Sequence, residues 1–85
     1  MRVERHPYKY NYNERFPEKR LVKGFMGGAI YAAEASGKFY IIEDEGTMAD
    51  FLLPEDEDLL DMLIRIKEFD TEQERDEYLK ERGWT

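Results

Sequence analysis

Residues Pro54–Phe69 read PEDEDLLDMLIRIKEF, and the folding of that stretch decides how many strands and helices the chain can have. Taken as one helix it starts well. Proline at the first turn has no amide to leave unpaired, and the acids crowd the positive end of the helix dipole. On a helical wheel Leu59, Leu63, Ile66, Met62 and Phe69 cluster, and Leu60 and Ile64 extend the arc to roughly 220°. Such a helix needs contact on more than one side, because a single core-facing stripe is much narrower. The rival reading makes IRIKEF a strand leading into the last helix, since Ile64 and Ile66 alternate. The helix is the preferred reading.

Downstream, Thr71-Glu72-Gln73-Glu74 is a T-x-x-E capping box that predicts a final helix. Asp76 and Lys80 are placed for an i,i+4 pair within it. Gly83 falls at C′ and Trp84 at C″, where the indole can pack on Leu79. The apolar face is narrow, so this helix should lie on the surface. Upstream, Ser36-Gly37 separates AIYAAEA from FYII and reads as a hairpin turn, although AIYAAEA also has helix propensity. FYII shows no inside/outside alternation, which predicts a strand covered on both faces, the second cover coming in so small a domain from another subunit. The glycines of Gly24-Phe25-Met26-Gly27-Gly28 match no phosphate-loop spacing and read as a bend or bulge entering a strand.

At the N-terminus HPYKYNYNERFPEKR alternates Tyr8, Tyr10 and Tyr12 with Lys9, Asn11 and Asn13. Period-two spacing predicts three rings on one side of an edge strand or arm within residues 1–18, bracketed by Pro7 and Pro17. The expected fold is therefore α+β, one small domain over 1–85. An antiparallel hairpin or three-stranded sheet is followed by two C-terminal helices.

Composition excludes much chemistry. The chain has no cysteine, one serine (Ser36) and one histidine (His6), so thiolate catalysis, disulfides and Cys-based zinc sites are absent and a Ser-His pair has little support. The EF-hand pattern matches nowhere among Glu43, Asp44, Glu45, Asp56, Asp58 and Asp61. No metal, cofactor or catalytic residue is expected, and the protein reads as non-enzymatic. No apolar run is long enough to span a bilayer and the N-terminus lacks a signal-peptide core, which points to a cytoplasmic location in a cell or infected host.

The net charge of −7 is uneven: residues 1–24 carry +4 and residues 25–85 carry −11. From Phe39 to Ile64 there are nine carboxylates and no Lys or Arg. Helix-dipole stabilisation needs only one or two of them. The surplus motivates a partner-binding face comprising Glu43, Asp44, Glu45, Asp50, Phe51, Glu55, Asp56, Glu57, Asp58 and Asp61. Met48, Phe51, Leu52 and Leu53 would serve as apolar anchors. The expected function is a protein-interaction module docking on a basic, nucleic-acid-binding surface of another protein, in the style of small acidic phage inhibitors that stand in for DNA. The alternative is a structural, self-associating homodimer, suggested by the wide helix arc and the two-faced FYII strand. A third reading has Tyr8, Lys9, Tyr10, Tyr12 and Arg15 bind nucleic acid directly, against an unfavourable overall charge.

Overall fold

Residues 54–69 are not one helix. A computed structural model, which describes residues 1–84, divides the stretch into a 3₁₀ turn Pro54–Asp56, a single α-turn Glu57–Leu60 (α1) and a strand Ile64–Phe69. The wide apolar arc was therefore a composite of a helical turn and a strand. Leu59 and Met62, which the wheel places in its core, are exposed. In the strand, Ile64 and Ile66 face one side of the sheet and Arg65 and Lys67 the other. Lys67 is buried, so the periodicity that separates apolar from charged residues does not separate buried from exposed.

The strands are β1 (Arg2–His6), β2 (Arg20–Phe25), β3 (Gly28–Ala35), β4 (Lys38–Asp44) and β5 (Ile64–Phe69), and the main helix is α2 (Glu72–Glu81). They form a five-stranded sheet in the order β1-β5-β4-β3-β2, with every neighbouring pair antiparallel. The protein is thus a small α+β domain with a five-stranded sheet and one main C-terminal helix, where the sequence suggested a hairpin or three-stranded sheet and two helices. β4 and β5 lie inside the sheet. Ile41, Ile42 and Ile66 are wholly inaccessible to solvent, as expected for strands covered on both faces.

Both covers come from the chain itself. On one face, residues 7–19 run across the sheet as successive turns, in which the amides of Arg15 and Phe16 donate to the Tyr12 carbonyl and that of Lys19 to the Phe16 carbonyl. These turns drop Tyr12 and Phe16 into a core with Ala33, Tyr40, Ile42, Ile64 and Ile66. The expected edge strand is β1 alone. Tyr8, Tyr10 and Tyr12 do not share a strand face, because Tyr12 opens a turn that buries its ring while Tyr8 stays exposed. On the opposite face α2 seats Leu79 against Ile30, Ile41 and Phe69, with Tyr78 and Trp84 packed alongside. No second subunit is needed to cover FYII.

The start and stop signals of α2 are read correctly, but the expected Asp76–Lys80 pair does not form. The Thr71 hydroxyl accepts from the Glu74 amide at 3.1 Å. At the other end, the amides of Gly83 and Trp84 donate to the carbonyls of Lys80 (3.0 Å) and Leu79 (2.9 Å), a Schellman closure with Gly83 at φ 72°. Asp76 pairs with the neighbouring Arg75 at 3.2 Å and makes no ion pair with Lys80. Ser36 and Gly37 both have positive φ, 53° and 77°, the geometry of a tight hairpin turn. The first glycine cluster forms the β2–β3 turn. Gly28 there lies so close to β4 that an added Cβ would stand 1.8 Å from the Asp44 carbonyl oxygen.

Candidate functional site

β4 and β5 are adjacent and antiparallel, a pair that a two-residue turn could join. The chain instead makes an excursion over residues 45–63, with a 3₁₀ helix Gly46–Phe51, the Pro54–Asp56 turn and α1. The Glu45 amide donates to the Leu63 carbonyl at 2.9 Å, so the ends of the excursion meet. It lies across one end of the sheet, beside the Met26-Gly27 turn and beside Tyr8, whose amide donates to the Leu60 carbonyl at 3.1 Å.

The ten residues proposed from sequence divide into two groups. Glu43, Asp44 and Glu45 face inward. Glu43, only 4% exposed, forms an ion pair with Lys67 (2.6 Å) and accepts from Arg65 (3.3 Å) and the Tyr78 hydroxyl (3.0 Å). Asp44 accepts from the Tyr12 hydroxyl and, at 2.7 Å, from the Gly46 amide. Burial, followed by this bond to Asp44, raises the Tyr12 pKa far above its ordinary value. Glu45 accepts from Arg65 at 2.6 Å. Burial works against the charge on Arg65, but Glu45 and then Glu43 outweigh it and its pKa is raised. All three acids are thus engaged in bonds within the fold, Glu43 buried and Asp44 and Glu45 partly exposed.

Asp50, Glu55, Glu57, Asp58 and Asp61 are exposed. Asp56 is half-buried and accepts from the Leu53 amide at 3.1 Å, shaping the turn. Among the exposed acids stand large apolar side chains: Phe51 is 72% and Leu53 57% exposed, with Leu59, Met62 and Met48 also open. Across from Met48, the β2–β3 turn presents Phe25 and Met26, the latter 96% exposed. Two shallow clefts indent this surface. One, of about 270 Å³, is lined by Met26, Gly27, Met48 and Phe51; the other, of about 390 Å³, by Leu52, Leu53, Glu57 and Leu60. The contribution of Phe25 and Met26 is missed in the sequence, where the glycines suggest only a bend. Pairing KGF with GAI across Met26-Gly27 is the signal that places them at a tip. Leu59 and Met62 are missed because the long-helix reading puts them in the core.

The residues suggested for nucleic acid are largely engaged internally. Tyr12 is buried, the Tyr10 ring stacks on His6 at 3.8 Å, and Arg15 donates twice to Glu4 at 2.8 Å. Tyr8 and Lys9 remain exposed, with the Lys9 ammonium over the Tyr8 ring. His6 ends β1 opposite Ile64, level with Asp44 at the end of β4, whereas Ser36 precedes β4. They stand at opposite ends of the sheet.

Among the described residues, no group of three or more His, Asp or Glu is placed to hold a metal ion, and no helix is long and apolar enough to cross a membrane. Nor does any ion pair among them join residues 1–24 to residues 25–84: Glu4 pairs with His6 and Arg15, and all the others fall within the second segment. No protein-family model matches the chain, and no curated protein and no solved structure matches it significantly.

Proposed function

We propose that the protein is a non-enzymatic interaction module, acting in the cytoplasm, that docks the excursion end of its sheet on a basic surface of another protein, such as one that binds nucleic acid. The observation that carries this reading is the composition of that end. Five exposed carboxylates are interspersed with exposed Met48, Phe51, Leu53, Leu59 and Met62, and residues 45–63 contain no Lys or Arg. Apolar side chains left open in this number on so small a surface mark a contact site, and unopposed carboxylates select a cationic one. Because Glu43, Asp44 and Glu45 are engaged within the fold, the docking set narrows to Asp50, Glu55, Glu57, Asp58 and Asp61 with their apolar neighbours.

Self-association is the weaker reading. Its two motives were the wide helix arc, which does not exist, and the two-faced FYII strand, which the chain covers by itself. A two-fold dimer through the excursion would also set like charge against like.

Affinity capture from the native cell or infected host tests the proposal, with Asp50→Lys, Asp58→Lys and Asp61→Lys combined as the control. A partner with a basic surface should be retained by the native chain, released by salt, and lost by the folded triple variant. Retention of the same proteins by both chains, or of none, counts against it.

A further inference from the structure

The two clefts allow the partner's contacting element to be specified, on the footing that the excursion end is the docking surface. We propose that it receives a basic amphipathic helix, whose apolar side chains enter the Met26–Met48–Phe51 cleft and the Leu52–Leu53–Leu60 cleft while its Lys and Arg meet Asp50, Glu57 and Asp58.

Cleft size points to side-chain anchors. At about 270 and 390 Å³, one lies below and the other near the bottom of the range of roughly 300–1,000 Å³ usual for small-molecule sites, and both are shallow. The clefts are also neighbours in the chain, since Phe51 lines one and Leu52 the other. Two anchor pockets in succession suit apolar residues spaced along one helix face. Methionine at the mouth adds an unbranched, polarisable lining that adapts to different anchors.

Backbone geometry disfavours an added strand here. Within the excursion the amides of Met48, Asp56 and Met62 already donate to the carbonyls of Glu45, Leu53 and Leu59, so the surface offers turns and no open ladder. The open ladders are at the edges, β1 and β2, and those edges carry Arg2, Arg5, Arg20 and Lys23. A basic segment is repelled there and attracted to the excursion. Charge also disfavours a second copy of this chain presenting the same end.

The test uses four synthetic peptides with the full-length, ¹⁵N-labelled protein. The first is a helical Leu/Lys peptide with leucines at i, i+3, i+4 and i+7; the second its scrambled sequence; the third an oligolysine of equal charge; the fourth a Leu/Glu version of the first. The first should bind saturably and shift the amides of residues 26–27 and 48–60, and bind at least tenfold more tightly than the other three. Phe51→Ser with Met48→Ser, both at exposed positions, should abolish that tenfold preference while leaving the spectrum of a folded protein. Equal binding of the scrambled peptide or oligolysine overturns the helix and leaves the acidic docking surface standing. Equal binding of the Leu/Glu peptide, or no binding of any basic peptide, overturns both readings. Shifts confined to β1 or β2, or a homodimer in sedimentation that masks residues 48–60, also overturn the proposal.

Discussion

Arg15 grips Glu4 through two parallel hydrogen bonds of 2.8 Å, tying the turns that cover one face of the sheet to its edge strand. Hydrogen bonding by Arg15 is the largest cause of a Glu4 pKa lowered from 4.5 to about 2. A carboxylate whose pKa is depressed on folding stabilises the native state above its unfolded value. Stability from this group should therefore be complete above pH 4.5 and fall progressively as the pH drops toward 2. Arg15→Met should return Glu4 toward its ordinary pKa and cost about 1–2 kcal/mol at neutral pH, the partial exposure of both side chains damping the effect. NMR titration of the Glu4 carboxyl carbon with urea unfolding at pH 7 and pH 3 checks both. An unshifted Glu4 in the variant contradicts the assignment.

Glu43 is held by Lys67 beneath α2, and both side chains are nearly inaccessible. Glu43→Gln leaves Lys67 without its counter-charge and should destabilise by about 3 kcal/mol. Glu43→Leu combined with Lys67→Met removes both charges and should recover a large part of that loss. Denaturation midpoints of the single and double variants measure the coupling, and strictly additive effects would refute it.

Gly28→Ala should cost about 2–4 kcal/mol, because the new methyl collides with the Asp44 carbonyl and forces β3 from β4. At Gly37 an added Cβ meets nothing within 4 Å, and only the positive φ opposes a side chain. Gly37→Asn should thus cost under about 1 kcal/mol. Thermal melts of the two variants separate steric from conformational requirements.

Phe16 is 1% exposed, and its ring meets Tyr40 at a centroid distance of 4.9 Å. Phe16→Ala should destabilise by about 3–5 kcal/mol. Tyr8→Ala, at an exposed ring, should change stability by less than about 0.5 kcal/mol. Similar losses in chemical denaturation would mean that residues 7–19 do not cover the sheet as described.

Neutralising the exposed acids singly, as Asp50→Asn, Glu57→Gln, Asp58→Asn or Asp61→Asn, should leave stability within about 0.5 kcal/mol of the native chain. Urea midpoints of the four variants check this. A loss above 1 kcal/mol at any of them would assign that residue to the fold.

Legibility in the sequence followed the range of the interactions. The Thr71 cap, the Gly83–Trp84 closure and the Ser36-Gly37 turn depend on residues within a few positions, and all were readable. The β5 strand was legible only as the rival to a helix, because Arg65 and Lys67 are stabilised by Glu43 and Glu45, twenty or more residues earlier, and a charged alternate face looks like solvent exposure. The same partnership hid the fact that three of the acids of the 39–64 block are bonded within the fold. Tyr12 followed the same rule: its buried hydroxyl is satisfied by Asp44, and the alternation of tyrosines carries no trace of that partner.

The hydrogen bond between Glu45 and Leu63 pins the two ends of the excursion side by side. Closing a chain of this length rather than a short turn costs only about 1–2 kcal/mol in entropy. The sheet, its covering turns and α2 are thus a chassis on which residues 46–62 sit as a replaceable cartridge. Under the docking function proposed above, substitution there changes what is recognised without renegotiating the core, and an evolving lineage could exchange targets while keeping one scaffold.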